Sequence, residues 1–203
     1  KLTQNSGMTV ADATAKVLAS LGLSPDVDLL HFDPIFETSR TDTGKTESNI
    51  ALAIHTAAVK VSILISQTGA LLSGAGVLTN EAAAIDLTYE ALAASLASNV
   101  SNTGLIDLTA DNTIAQIIQD TTELSGANNS VLFKIGALAT DASQAIANLN
   151  NAVLNAATDN ADKSKTLSTI AAVQIVSEYI ESTMKSGAAT GNATDRPADR
   201  MNP

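Results

Sequence analysis

Cysteine and tryptophan are absent from this chain, and its aromatic side chains are two tyrosines and three phenylalanines among 203 residues. Without cysteine there is no disulfide, no thiolate metal site and no cysteine nucleophile. That absence fits an extracellular bacterial protein that avoids oxidative mispairing, as it fits many cytosolic proteins. With aromatics at 2% of the chain, alanine, leucine, isoleucine and valine must fill the core. Small side chains of this kind favour helices packed at the short end of the usual interaxial range. Basic residues are also scarce, 11 against 21 acidic ones, for a net charge of −10. Such a surface repels nucleic acid and anionic lipid headgroups, and suits calcium or a basic protein surface. The first residues, Lys1-Leu2-Thr3-Gln4, carry no methionine and no signal-peptide pattern, the expectation for a processed chain.

What is present is helical periodicity. Thr9-Val10-Ala11-Asp12 has capping-box spacing, with Asp in place of the usual Glu. Val10, Ala13, Val17 and Leu21 then share one face, and Gly22 ends the helix. The stretch 22–36, GLSPDVDLLHFDPIF, breaks the alanine-rich pattern. Pro25 and Pro34 restrict its backbone, so it reads as an ordered loop that fixes the bundle, with Phe32 and Phe36 buried beneath it. Residues 37–45 read as a loop or one short helical turn. Thr43-Gly44-Lys45-Thr46 within it lacks the first glycine and the preceding strand of a phosphate-binding loop.

Five more helices follow. The spacing predicts one over 47–73 with a seam of Ile50, Ile54, Ala57, Val61, Leu64, Thr68 and Leu71. Another begins near Thr79, with Ile85, Tyr89, Leu92 and Leu96 inward. A shorter one opens at Asp107-Leu108-Thr109 and turns Ile114, Ile117, Ile118, Thr121 and Leu124 inward. Long helices over 130–157 and 162–185 complete the set, the last with Leu167, Ile170, Val173, Val176, Ile180 and Met184 inward. Nothing reads as a strand. The fold expected is all-α: an antiparallel bundle of about six helices, three of them long, over residues 1–186. Residues 187–203 read as an extended tail or linker. The apolar span from Ile50 to Val77 contains Lys60, His55 and Gln67 and lacks basic residues clustered at one end, so it reads as a core helix rather than a membrane span.

The order of these features resembles the alanine-rich helical modules of very large secreted bacterial proteins, adhesin-like or matrix proteins that also carry calcium-binding or cadherin-like repeats. A turn similar to LGL-P-x-D-L-x-x-x-DP recurs in such modules. It is met here by Leu21, Gly22, Leu23, Pro25, Asp28, Leu29, Asp33 and Pro34, followed by the DLTADNTIAQII and IAAVQIV segments. His31-Phe32 is bulkier than that pattern. The resemblance implies a non-catalytic extracellular or cell-surface module of a longer polypeptide, with a β-rich domain upstream, and it supplies no catalytic residues.

Three sets of residues are candidates for function. Asp26, Asp28 and Asp33 are hard-oxygen ligands suited to calcium, although their spacing is not that of an EF-hand loop. The plainer role is turn formation, with Asp33 setting the Pro34 turn. His55, beside the seam of the long second helix, is a possible ligand for haem iron or a pigment metal, with His31 as its partner if the loop folds back. The plainer role is a half-buried imidazole bonded to a carbonyl or a serine. Arg196 and Arg200, two of the three arginines, lie in the tail and offer an electrostatic clamp on the acidic body or on a neighbouring copy. No Gly-x-Ser-x-Gly motif or His/Glu metal pair occurs on a helix face, so an enzyme is not expected. The partner expected is a protein or a second copy of the chain.

Overall fold

The computed structural model describes every residue except 6, 30, 40–44, 79, 99–103, 159–161 and 191–203. The described residues form eight helices and no strand: α1 (Leu2–Asn5), α2 (Val10–Ser20), α3 (Pro34–Ser39), α4 (Lys45–Gly74), α5 (Glu81–Ser98), α6 (Asp111–Leu124), α7 (Asn129–Thr158) and α8 (Lys163–Thr190). Six of these are the helices read from periodicity. The two additional ones, α1 and α3, have four and six residues, too short to carry a repeating apolar pattern.

Helix α4 is the axis of the molecule. Leu64, Ala70, Leu71 and Leu72 have no exposed surface, and Ala51, Leu52, Ile63 and Ile65 are buried on its other sides. Each such leucine contributes roughly 1.5–3 kcal/mol by leaving water. Helices α5, α7, α8 and α3 surround it, and α6 closes the far side by packing on α5 and α7. By length and composition Glu47–Gly74 could cross a membrane, with a mean hydropathy of 1.6 in its most apolar window. In the bundle 61% of that window is buried against neighbouring helices.

From α4 to α8 successive helices alternate in direction, as expected of an antiparallel bundle, and α4 and α8, the first and last of the five, meet in parallel. Three contacts fix this register: the Lys163 ammonium donates to the Ser48 hydroxyl, Gln67 meets Ser177, and Gly74 lies against the Lys185 backbone. Odd helix number explains the parallel pair, because the first and last of five alternating helices point the same way. At the Gly74 crossing a Cβ would collide with the Lys185 carbonyl, so only glycine permits the approach.

Several side chains turn differently from the sequence reading. On α5 the inner face is Ala84, Thr88, Ala91 and Leu92, while Tyr89 is 48% exposed. Small residues prevail there because α5 approaches α4 closely, as the nearness of Gly69 to Ile85 shows. On α8 the buried position is Ser177 rather than Val176, because the Gln67 amide needs an acceptor at that level. Helix α8 also continues to Thr190 with Gly187 and Ala188 buried, so the first residues assigned to the tail belong to the bundle.

Candidate functional site

Helix α2, which leads into the loop at 22–36, is held at both ends by local hydrogen bonds. Thr9 caps α2 by accepting from the Asp12 amide at 3.2 Å, and its hydroxyl donates to the Asp12 carboxylate at 2.7 Å. At the other end the Gly22 and Leu23 amides donate to the Ala19 and Leu18 carbonyls at 3.1 and 2.8 Å. That double closure requires the left-handed conformation Gly22 adopts at φ +68°. The Ile106 amide donates to the Ser20 carbonyl at 2.7 Å, tying the end of α2 to the segment before α6.

The aspartates of the loop are occupied by structural roles where bonds are seen. Asp33 caps α3, its carboxylate accepting from the Ile35 and Phe36 amides at 3.0 Å each, with Pro34 as the first helical residue. This places Phe36 on the outward side of α3 and 56% exposed, contrary to the burial expected, while Thr38 is the buried residue of that helix. Asp28 lies 2.7 Å from Nδ1 of His31, whose side chain is 81% exposed. Asp26 is exposed. Among the described residues no group of three or more His, Asp and Glu side chains is arranged to hold a metal ion, so the structure does not gather Asp26, Asp28 and Asp33 into one site.

His55 is half-buried on α4, and burial holds its imidazole below the ordinary histidine range. Among the described residues it makes no hydrogen bond, so neither the carbonyl nor the serine partner expected for it is found. Arg196 and Arg200 lie outside the described residues.

A concavity lies elsewhere, between α2 and α5. It is a groove of about 400 Å³ walled by Val10, Ala13, Val17 and Leu21 on one side and by Tyr89, Leu92, Ala93 and Leu96 on the other, with Leu29 and Val61 at its floor and edge. The α2 wall is the apolar face read from the sequence. Instead of closing onto the bundle, that face stands off α5 and leaves Val10 64% exposed. Tyr89, the other exposed wall residue, was assigned to the core by periodicity, and its position carries no sequence signal that separates groove from core. At one end Lys1 donates to Asp86 at 2.9 Å, with Glu90 at 3.9 Å. The hydrogen bond to Asp86 raises the Lys1 ammonium above its ordinary range despite some loss of hydration, so the cation is neutralised in place. The groove therefore offers apolar area with an end where one lysine faces two carboxylates.

No protein-family model matches the chain, and comparison with curated proteins and with solved structures finds no match.

Proposed function

We propose that this chain is a non-catalytic interaction module of a secreted or cell-surface bacterial protein, and that it acts by taking up an apolar, basic-flanked segment of a protein partner in the groove between α2 and α5. The observation that carries this reading is the groove itself: two helix faces set apart, with apolar walls and the carboxylates of Asp86 and Glu90 at one end beside Lys1. An amphipathic helix laid in such a groove buries its apolar face, while flanking lysines or arginines meet the carboxylates at that end. The net charge of −10 favours encounter with a basic segment over an acidic one. The resemblance of the turn at 21–34 to that of secreted bacterial surface proteins supports the setting.

Fluorescence anisotropy with a labelled leucine–lysine amphipathic peptide tests the reading. The peptide is expected to bind the whole chain saturably, and a scrambled peptide of equal composition is expected to bind at least tenfold more weakly. Val10→Asp and Tyr89→Glu place charge on exposed groove walls without disturbing the core, and each should abolish the difference. Equal binding of both peptides, or full binding by both variants, overturns it.

A further inference from the structure

Lys60 projects from the middle of α4 into a second cavity, of about 280 Å³, on the side of α4 that faces α7. Its lining on α4 runs from Asn49 through Leu52, Ala53 and Thr56 to Lys60, the spacing of a single helix face. At 1.5 Å per residue that face is about 16 Å long. Leu154 and Ala157 of α7 form the opposite wall, and Leu21, Gly22 and Leu23 the edge. A further cavity of about 340 Å³ shares Gly22, Leu23, Asn49 and Ala53, so the slot continues past the turn. The result is a long, mostly apolar slot with one cationic group at one end.

Among the described residues that cation has no ion pair. Lys1 and Lys185 are ion-paired with Asp86 and Glu81, and Lys163 donates to Ser48. Lys60 is half-buried and, among the described residues, makes neither an ion pair nor a side-chain hydrogen bond, in a chain where acidic groups outnumber basic ones. An ammonium withdrawn from water without a counter-charge is costly. Burial holds the amine below the ordinary lysine range, opposed by the field of Asp107. Asp107 acts on Lys60 through its field and not through an ion pair, and its Oδ1 accepts from the amide and hydroxyl of Thr109 at 2.9 and 2.5 Å.

We infer that this slot binds a linear aliphatic carboxylate, with the carboxylate on the Lys60 ammonium and the chain laid along the Ala53 face of α4 toward Asn49. Both halves of such a ligand are matched: the anion supplies a counter-charge in direct contact, which the field of Asp107 does not, and the chain covers the apolar walls. The site is separate from the groove between α2 and α5, and does not depend on the function proposed for that groove.

Isothermal titration of the whole chain with decanoate and with decanol tests the inference. Decanoate should bind saturably and at least tenfold more tightly than decanol. Lys60→Met should remove that preference while Lys60→Arg keeps it, and Ala53→Phe, on an exposed wall of the slot, should weaken both ligands. Circular dichroism checks that each variant is folded. Methyl-labelled Lys60 followed by NMR gives a second readout, since a carboxylate seated on the amine must move its titration to higher pH. Equal affinity for the acid and the alcohol, no saturable binding of decanoate, or decanoate binding unchanged in Lys60→Met overturns the assignment.

Discussion

The side-chain amide of Gln67, at the buried centre of α4, donates to both the backbone carbonyl and the hydroxyl of Ser177 on α8, at 2.7 and 2.9 Å. This pair sets the register of the parallel contact, but among the described residues the buried amide oxygen of Gln67 has no partner. An unsatisfied buried polar atom costs about 1–3 kcal/mol, whereas apolar replacement of similar shape is near neutral or stabilising. Gln67→Met is therefore expected to leave stability unchanged or raise it by about 1 kcal/mol. Ser177→Ala should lower it by about 1 kcal/mol, because the amide then keeps a single acceptor. Urea unfolding followed by circular dichroism measures both. A loss of several kcal/mol in Gln67→Met would contradict the account.

Two glycines inside helices should respond oppositely to alanine. At Gly136, on the exposed side of α7, an added methyl meets nothing within 4 Å. Gly136→Ala should stabilise by about 0.5–1 kcal/mol through helix propensity. Gly74→Ala drives a methyl into the Lys185 backbone and should destabilise by about 1–3 kcal/mol, since backbone cannot move aside as a side chain does. The two denaturation midpoints should move in opposite directions.

Glu181 provides a pH-dependent test. Burial is the main cause that raises its carboxyl above the ordinary 4.5, followed by the nearby charge of Glu81. Glu178 and a hydrogen bond to Glu81 act in the same direction, and a bond to Ser66 opposes them. Lys185, the basic group at this junction, is bonded to Glu81 at 2.5 Å. The folded state thus holds the proton more tightly than the unfolded chain. Its contribution is fully present below pH 4.5 and is lost as pH rises through the raised value. Glu181→Gln should melt higher than the parent at neutral pH, with the gap closing as pH falls below 4.5. A gap independent of pH would remove the charge explanation.

The cap on α2 makes a local prediction. Thr9→Ala removes the acceptor for the Asp12 amide and should cost about 1 kcal/mol. Because α2 touches the bundle mainly through α5, hydrogen exchange should speed up in α2 and remain unchanged at the centre of α4. Uniform acceleration would mean that α2 is more tightly coupled to the core than its packing indicates.

The helical architecture was legible because apolar residues recur at three and four along each of the six longer helices, and because Thr9 and Gly22 mark the ends of α2. The parallel pairing of α4 with α8 was not, since periodicity defines a face but not the helix it meets. The exchange of Val176 for Ser177 followed from the same gap: a buried amide on a distant helix decides which α8 residue turns inward. Phe36 was misplaced because α3 is too short to show a repeat, so its bulk suggested burial where the Asp33 cap turns it outward. For the groove, the sequence showed the face of α2 but not its distance from α5. Lys60 was noted only as a polar interruption of an apolar helix, since nothing local to it reveals that its ammonium has no ion pair among the described residues.

The pairing of Gln67 with Ser177 spans 110 positions of chain. At about 5–20 residues per second, a ribosome needs roughly 5–20 s to travel that distance. Throughout that interval α4 exists without the neighbour that covers its Gln67 side, while its apolar length also suits a lipid bilayer. Newly made chain must therefore pass through a period in which its most water-averse helix is partly bare. Truncation within α8 would make that passing exposure permanent, and nascent chains stalled there should be captured by chaperones or aggregate, whereas chains released after Thr190 should not.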